Sequence, residues 1–249
     1  MTKSRLPVLL RTLVDHLTVA TLTVVAPLVS CARPIEPAPL PRSPGPTLRA
    51  LYRIPPVARI DARRTALVLV DFQEEFFHGG LSIPDAGLAL QHAEQLLAWA
   101  RQSSFTVVHV RNIARPGSPL FAPDSPNTAI VPPLAPRSDE LVVTKPTGGA
   151  FTRTALDATL HERNIETLVV GGIMTHLAVA MTAQDATVLG YQVVVASDAT
   201  ATRDLPGAGG SPPVDHATLQ RSALAAIADR FADVMPTQQI LALPLVLAP

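Results

Sequence analysis

Residues 65–80 read TALVLVDFQEEFFHGG, and the first six of them decide the fold. TALVLV is short, rich in β-branched side chains and apolar without alternation, which predicts a strand covered on both faces, as in a parallel sheet. It stops abruptly at Asp71. Similar runs recur downstream: TVVHV at 106–110, LVVT at 141–144, TLVV at 167–170, QVVVA at 192–196 and a weaker one at 232–235. Between them lie helical patterns at 86–101, 154–163, 175–189 and 214–231. In the first of these, Leu88, Leu90, Ala93, Leu96, Leu97 and Ala100 fall largely on one stripe. Strands alternating with helices imply βαβ units with right-handed crossovers. The expected architecture is a three-layer α/β, Rossmann-like domain with a mostly parallel sheet of about six strands.

In such sheets, chemistry gathers at the carboxyl ends of the strands. That rule singles out Asp71, Arg111, Asn112, Lys145, 171–175, Ser197 and Asp198, polar, glycine or turn residues directly after apolar runs. No GxGxxG follows the first strand, no GxxxxGK[ST] occurs and no GxSxG elbow is present. A dinucleotide site, a P-loop and a serine α/β-hydrolase are therefore disfavoured, and no cofactor is implied.

The chain has 249 residues, 47% hydrophobic and 16% charged, enough to build one sizeable core. Twenty basic and twenty acidic side chains leave no net charge, and aromatics make up only 4%, so neither an electrostatic footprint nor a stacking platform for nucleic acid is expected. The single cysteine, Cys31, excludes a disulfide within the chain and a cysteine zinc cluster. Residues 1–31 start with Lys3, Arg5 and Arg11 and continue into LTVATLTVVAPLV at 17–29, a pattern similar to a signal peptide. Leu28-Val29-Ser30-Cys31 resembles a lipobox, with Cys31 as the lipid anchor. Asp15, His16 and Arg11 fit that pattern poorly, and an amphipathic or docking helix is the competing reading. Export as a periplasmic lipoprotein follows from the first reading and a cytoplasmic location from the second. Residues 32–60 form a Pro-rich linker, and the domain is expected over 61–249.

A carboxylate at the mouth of an apolar crevice is partly desolvated, so the pKa of Asp71 should rise unless a cation lies close. Lys145, at the end of the third strand in VVTKPTGGAF, could supply one, and such a pair can hold and transfer a proton. The plain alternative is a capping Asp and a solvated Lys. The stretch GGIMTHLAVAMTA at 171–183 adds a third element: two glycines after a strand, then a helix starting near Thr175 whose free N–H groups favour an anion. A nucleophile at position 178 would sit in the first turn.

Taken in order, these segments resemble the isochorismatase-like hydrolases, a superfamily that includes cysteine amidases. The pattern D-x-Q-x-x-F is met by Asp71, Gln73 and Phe76. Lysine, then a small residue and Phe, is met by Lys145, Ala150 and Phe151. G-x-x-T-H-x-C-V-x-x-T-A is met by Gly172, Thr175, His176, Val179, Thr182 and Ala183, but Ala178 stands at the cysteine. SDATATRDL at 197–205 resembles the strand-five exit. The resemblance covers about residues 63–240 and implies catalytic roles for Asp71 and Lys145. It implies substrate contacts from Gln73, Phe76, Asn112, Phe151, Met174, Thr175 and His176, a cis peptide at Met174-Thr175, and a homo-oligomer. A methyl group cannot attack a carbonyl, so thioester chemistry is excluded for this chain. What remains is a hydrolase of a small molecule that uses Asp71 and Lys145 without a covalent intermediate, a silent binding protein, or a cysteine amidase inactivated by a Cys-to-Ala change. Isochorismatases proper also lack the cysteine but carry a glutamine after strand two, where this chain has Arg111 and Asn112. His78, His109, His176 and His216 are scattered and read as packing, capping or surface residues, with no metal site. The apolar stretch 240–249 would suit an interface or a clamp across the domain.

Overall fold

The computed structural model describes residues 45–246. The expected leader and the lipid anchor at Cys31 lie outside the described residues. In chain order the elements are α1 (Leu48–Leu51), β1 (Ile60–Asp61), β2 (Thr65–Val70), α2 (Ala86–Gln102), β3 (Thr106–Asn112), β4 (Leu141–Lys145) and α3 (Leu156–Glu162). There follow β5 (Thr167–Ile173), a π-helical turn (Thr175–Val179) running into α4 (Ala180–Val188), β6 (Gln192–Ala201), α5 (His216–Arg230), β7 (Asp233–Met235), α6 (Thr237–Leu241) and β8 (Leu245–Val246).

Six strands form one sheet in the order β4-β3-β2-β5-β6-β7, with every pair parallel. Strand β2 is fully buried, as its unbroken apolar run requires. Its side chains alternate between two cores. Leu67 and Leu69 face α2, where they meet Ala93, Leu96 and Leu97. Ala66, Val68 and Val70 face the opposite layer, built on Leu156, Ala183 and Ile227 from α3, α4 and α5. Each fully buried Leu or Ile contributes about 1.5–3 kcal/mol, so both faces of the sheet are held by hydrophobic burial.

The order reverses between β2 and β5. From β2 the chain steps outward through β3 and β4, then returns to the other side of β2 for β5, β6 and β7. A crevice opens outside the strand ends at such a switch point. The strands approach very closely there: a Cβ added at Gly172 would lie 2.5 Å from the Val70 carbonyl oxygen, which is why β5 carries glycine at this position.

Two features differ from the sequence expectation. Strand β4 is an edge strand, with Val142 and Thr144 facing outward, because β3 alone pairs with it. Residues 47–60, read as linker, are tied to the domain. The Leu48 N–H donates to Asp229, while Arg49 and the Val57 N–H both reach Asp233, each at 2.9 Å. Four residues are enough for the single turn of α1 because Thr47 caps it, accepting from the Ala50 N–H. The described part of the C-terminal apolar stretch acts as a clamp: Ile240 is fully buried, Leu241, Leu243 and Leu245 pack on the α2-side core, and β8 pairs with β1.

Candidate active site

Four strand ends converge at the switch point. Asp71 follows β2, Asn112 and Lys145 end β3 and β4 in mutual register, and Met174 follows β5. Asp71 turns the chain with φ of 55°, in the left-handed region that Asp tolerates better than bulkier residues. Its N–H donates to the Val110 carbonyl at 2.9 Å, which fixes the backbone while the side chain faces the crevice.

Lys145 lies two strands from Asp71, and its long stem crosses the end of β3. Nζ donates to Asp71 Oδ2 at 2.6 Å, and the two side chains are only 2% and 4% exposed. Asp71 Oδ1 is equally buried and has no partner among the described residues. Burial is the larger influence on this carboxyl. Although the charge and hydrogen bond of Lys145 pull the other way, its pKa is pushed up from 3.8 to about 6. The group can therefore gain or lose a proton near neutrality.

A cavity of about 110 Å³ opens onto this pair. Phe76, Leu81, Phe121, Ile173, Met174 and Leu177 supply its apolar wall, and Ala178 closes the floor with a methyl group. Asn112, Thr147 and Gly148 complete the lining. Larger clefts, of about 280 and 370 Å³, lie beside Arg101 and Arg137 near the start of β4, but neither is lined by a strand-end residue of the switch point.

Of the residues singled out in the sequence, Asp71, Phe76, Asn112, Lys145, Met174 and Ala178 line this cavity, and Gln73, Phe151, Thr175 and His176 do not. Gln73 is fully buried and its amide is spent on backbone. It donates to the Asn112 and Thr128 carbonyls at 2.9 and 2.8 Å and accepts from the Asn112 N–H at 2.7 Å. It thereby pins the end of β3 beside Asp71. Phe151 stacks on Tyr191, with ring centroids 5.9 Å apart, and belongs to the core on the α3–α5 side. Thr175 is fully buried as the first residue of the π-turn. His176 pairs its Nδ1 with the Thr202 hydroxyl at 2.5 Å and so ties the turn to the exit of β6. Burial, and then the charge of Arg203, lower its pKa.

The expected cis peptide at Met174-Thr175 occurs one bond earlier, at Ile173-Met174. The β5 ladder runs through Ile173, paired with Ala201, so the chain leaves the sheet at that link. Thr182 joins the two remaining motifs: its hydroxyl donates to the Ala178 carbonyl at 2.7 Å and accepts from the Ala150 N–H at 2.9 Å.

Leu81, Phe121 and Leu177 were not visible in the sequence. Leu81 and Phe121 come from irregular loops without periodicity. Glu75, a buried carboxylate, fixes both loops by accepting from the Gly80 N–H at 2.5 Å and the Phe121 N–H at 3.4 Å. Gly79 is required beside it, since a Cβ there would lie 2.5 Å from Glu75 Oε1. The scattered histidines have separate partners: His78 meets Glu74, His109 meets Glu140 and His216 meets Asp204. Among the described residues, no three His, Cys, Asp or Glu side chains gather as metal ligands, and no helix is long and apolar enough to cross a membrane.

Comparison with known proteins gives the same family by three routes. The isochorismatase domain model matches residues 65–239. A secreted isochorismatase effector of Verticillium dahliae is 32% identical over 194 residues, covering 78% of this chain and 98% of that protein. A streptothricin hydrolase of Streptomyces noursei is 36% identical over 172 residues, covering 69% of this chain and 68% of its own. Among solved structures, an isochorismatase from Pseudomonas putida superposes with a TM-score of 0.71 at 31% identity, over 79% of this chain and 99% of that one. A cysteine hydrolase from Pseudomonas syringae gives 0.70 at 30% identity, over 76% and 96%. The parallel sheet, its switch point and these matches place the chain in the isochorismatase family of hydrolases.

Proposed function

We propose that the chain hydrolyses a small molecule by proton transfer at Asp71, without a covalent intermediate. The observation that carries this reading is the buried Asp71–Lys145 pair. Lys145 occupies one carboxyl oxygen, the other has no partner among the described residues, and Asp71 lines a cavity. With Ala178 in the floor, position 178 offers only a methyl group and no nucleophile. In this reading water takes that role. Ionised Asp71 would accept a proton from that water through Oδ1. Neutral Asp71 would instead donate its proton to the substrate, and water would add to the resulting cation. Lys145 holds the carboxyl in place and biases it toward the ionised form.

The two directions of transfer separate by pH. A base mechanism gains rate as pH rises through about 6, whereas an acid mechanism loses it. The test is a hydrolysis screen of small esters, amides and enol ethers with the wild-type chain and Asp71→Asn. Turnover that survives in Asp71→Asn would sink the proposal.

The Ala178 methyl also supports a second reading, a silent binding protein or an amidase that has lost its thiol. Under that reading the wild type is inert over the whole panel, and Ala178→Cys acquires amidase activity.

A further inference from the structure

The cavity at the switch point has a chemical bias that follows from what its charges are already doing. Among the described residues, the lining contains one cation, Lys145, and one anion, Asp71, and these neutralise each other at 2.6 Å. Arg111, near the end of β3, is not part of the lining, and its Nε donates to the Thr144 hydroxyl at 3.1 Å. The remaining wall is Phe, Leu, Ile and Met side chain, with the Asn112 amide and the Thr147 hydroxyl as its neutral polar groups. A carboxylate entering this space would lose its water, meet no unpaired cation and lie beside the Asp71 carboxylate. A buried charge in that position is heavily penalised. An uncharged group meets no such penalty, and an N–H or O–H on it can donate to the partnerless Asp71 Oδ1. Size narrows the class further. An apolar cavity of 150 Å³ accommodates the six carbons of benzene, so about 110 Å³ encloses about four or five non-hydrogen atoms, with any further atom at its open mouth.

We infer that this site selects compact, uncharged molecules carrying one hydrogen-bond donor and excludes their carboxylate counterparts. The inference rests on the reading of this cavity as the substrate site, and it narrows that reading to neutral substrates.

Isobutyramide and isobutyrate provide a matched pair, equal in shape and heavy-atom count and different in charge. The full chain contains four methionines, of which Met174 lines the cavity, so a methyl-labelled methionine spectrum gives a local signal, assigned by Met174→Leu. At about pH 7.5, isobutyramide should titrate the Met174 methyl at a concentration at least about tenfold below that required by isobutyrate. Equal or tighter binding of isobutyrate overturns the inference, and so does a Met174 signal that neither probe moves. Asp71→Asn provides an internal reversal. It frees the Lys145 ammonium, so isobutyrate should gain about tenfold, while isobutyramide, whose acceptor becomes a neutral amide oxygen, should gain nothing. If isobutyrate gains nothing in that variant, the pairing of Lys145 is not what excludes anions, and the inference fails. These outcomes do not depend on turnover. Isobutyramide bound by a protein that hydrolyses nothing would keep this inference and end the hydrolase proposal. Turnover of substrates with a preference for carboxylates would do the reverse.

Discussion

Strand β4 has a buried carboxylate–cation cluster at each end, and the two clusters are built in opposite ways. Just before it, Glu140 accepts two hydrogen bonds from Arg101, at 2.7 and 2.9 Å, one from the Arg137 N–H at 2.9 Å, and pairs with His109 at 2.8 Å. At its last residue, Lys145 alone meets Asp71, and one carboxyl oxygen has no partner. Burial pushes both carboxyls upward. For Glu140 the Arg101 hydrogen bonds, with Arg137 and His109, more than reverse this and hold the pKa at about 2. For Asp71 a single lysine does not, and the pKa stands at about 6. A carboxylate whose lone pairs are all satisfied is a fastener. One with a spare oxygen and a pKa near neutrality is equipped for proton transfer.

That contrast is broken most severely by exchanging charge at each end. Asp71→Asn should lower turnover of an accepted substrate by about 10²–10⁴-fold, the usual weight of a general acid or base, as measured by initial rates. Glu140→Gln should leave the rate per folded molecule within about threefold, since the cavity is at the other end of β4. It should lower stability by about 3 kcal/mol, because Arg101 and buried His109 lose a charged partner. A shift of the denaturant midpoint at unchanged slope is the measurement. A large rate loss with Glu140→Gln would show that the two ends are not separate.

The next consequence lies in the pH dependence of stability, where the two ends have opposite signs. The folded pKa of Glu140 is depressed, so its contribution is complete above about 4.5 and is lost as pH falls toward about 2. Folded Asp71 binds its proton more tightly than the unfolded chain does. Its ionisation therefore costs stability, and the cost grows as pH rises from about 4 to about 6, reaching about 2–3 kcal/mol. Stability should climb between pH 2 and 4.5 and then sag toward pH 6. Asp71→Asn should remove the sag alone, and Glu140→Gln should flatten the acid limb alone. Denaturation midpoints taken at half-unit pH intervals resolve the two limbs.

The same contrast explains what could be read from the sequence. The sheet was legible because apolar runs that end in a polar residue have one economical solution, a strand buried on both faces with its end in a crevice. Asp71 and Lys145 were legible for the same reason. The state of their partners was not, since it depends on atoms distant in sequence. Gln73 stands in a motif two residues from Asp71, yet its amide serves the backbone of Asn112 and Thr128. Phe121 carries no periodic signal, and its loop is joined to the wall that holds Leu81 by the buried Glu75 and by its own ring against Phe76, both set by the fold. Glu140 is one acidic residue among twenty in the sequence. Nothing local marks it as a fastener, because Arg101 and His109 reach it from α2 and β3.

Strand β4 itself shows the limit of the apolar-run rule and supplies the smallest test of the comparison. LVVT looks like a strand covered on both faces, but its burial alternates, and Val142 is 48% exposed at the sheet edge. If the two ends of β4 differ only in their charge partners, the residues between them are a spacer whose outward face is free to change. Val142→Thr keeps the β-branched shape that suits an edge strand and exchanges a methyl group for a hydroxyl in contact with water. Its effect on stability should stay within about 0.5 kcal/mol, and the rate should not change. A larger loss would mean that Val142 is covered by something other than solvent. The edge of β4 would then be a contact surface, and its two clusters would have to be understood within an assembly.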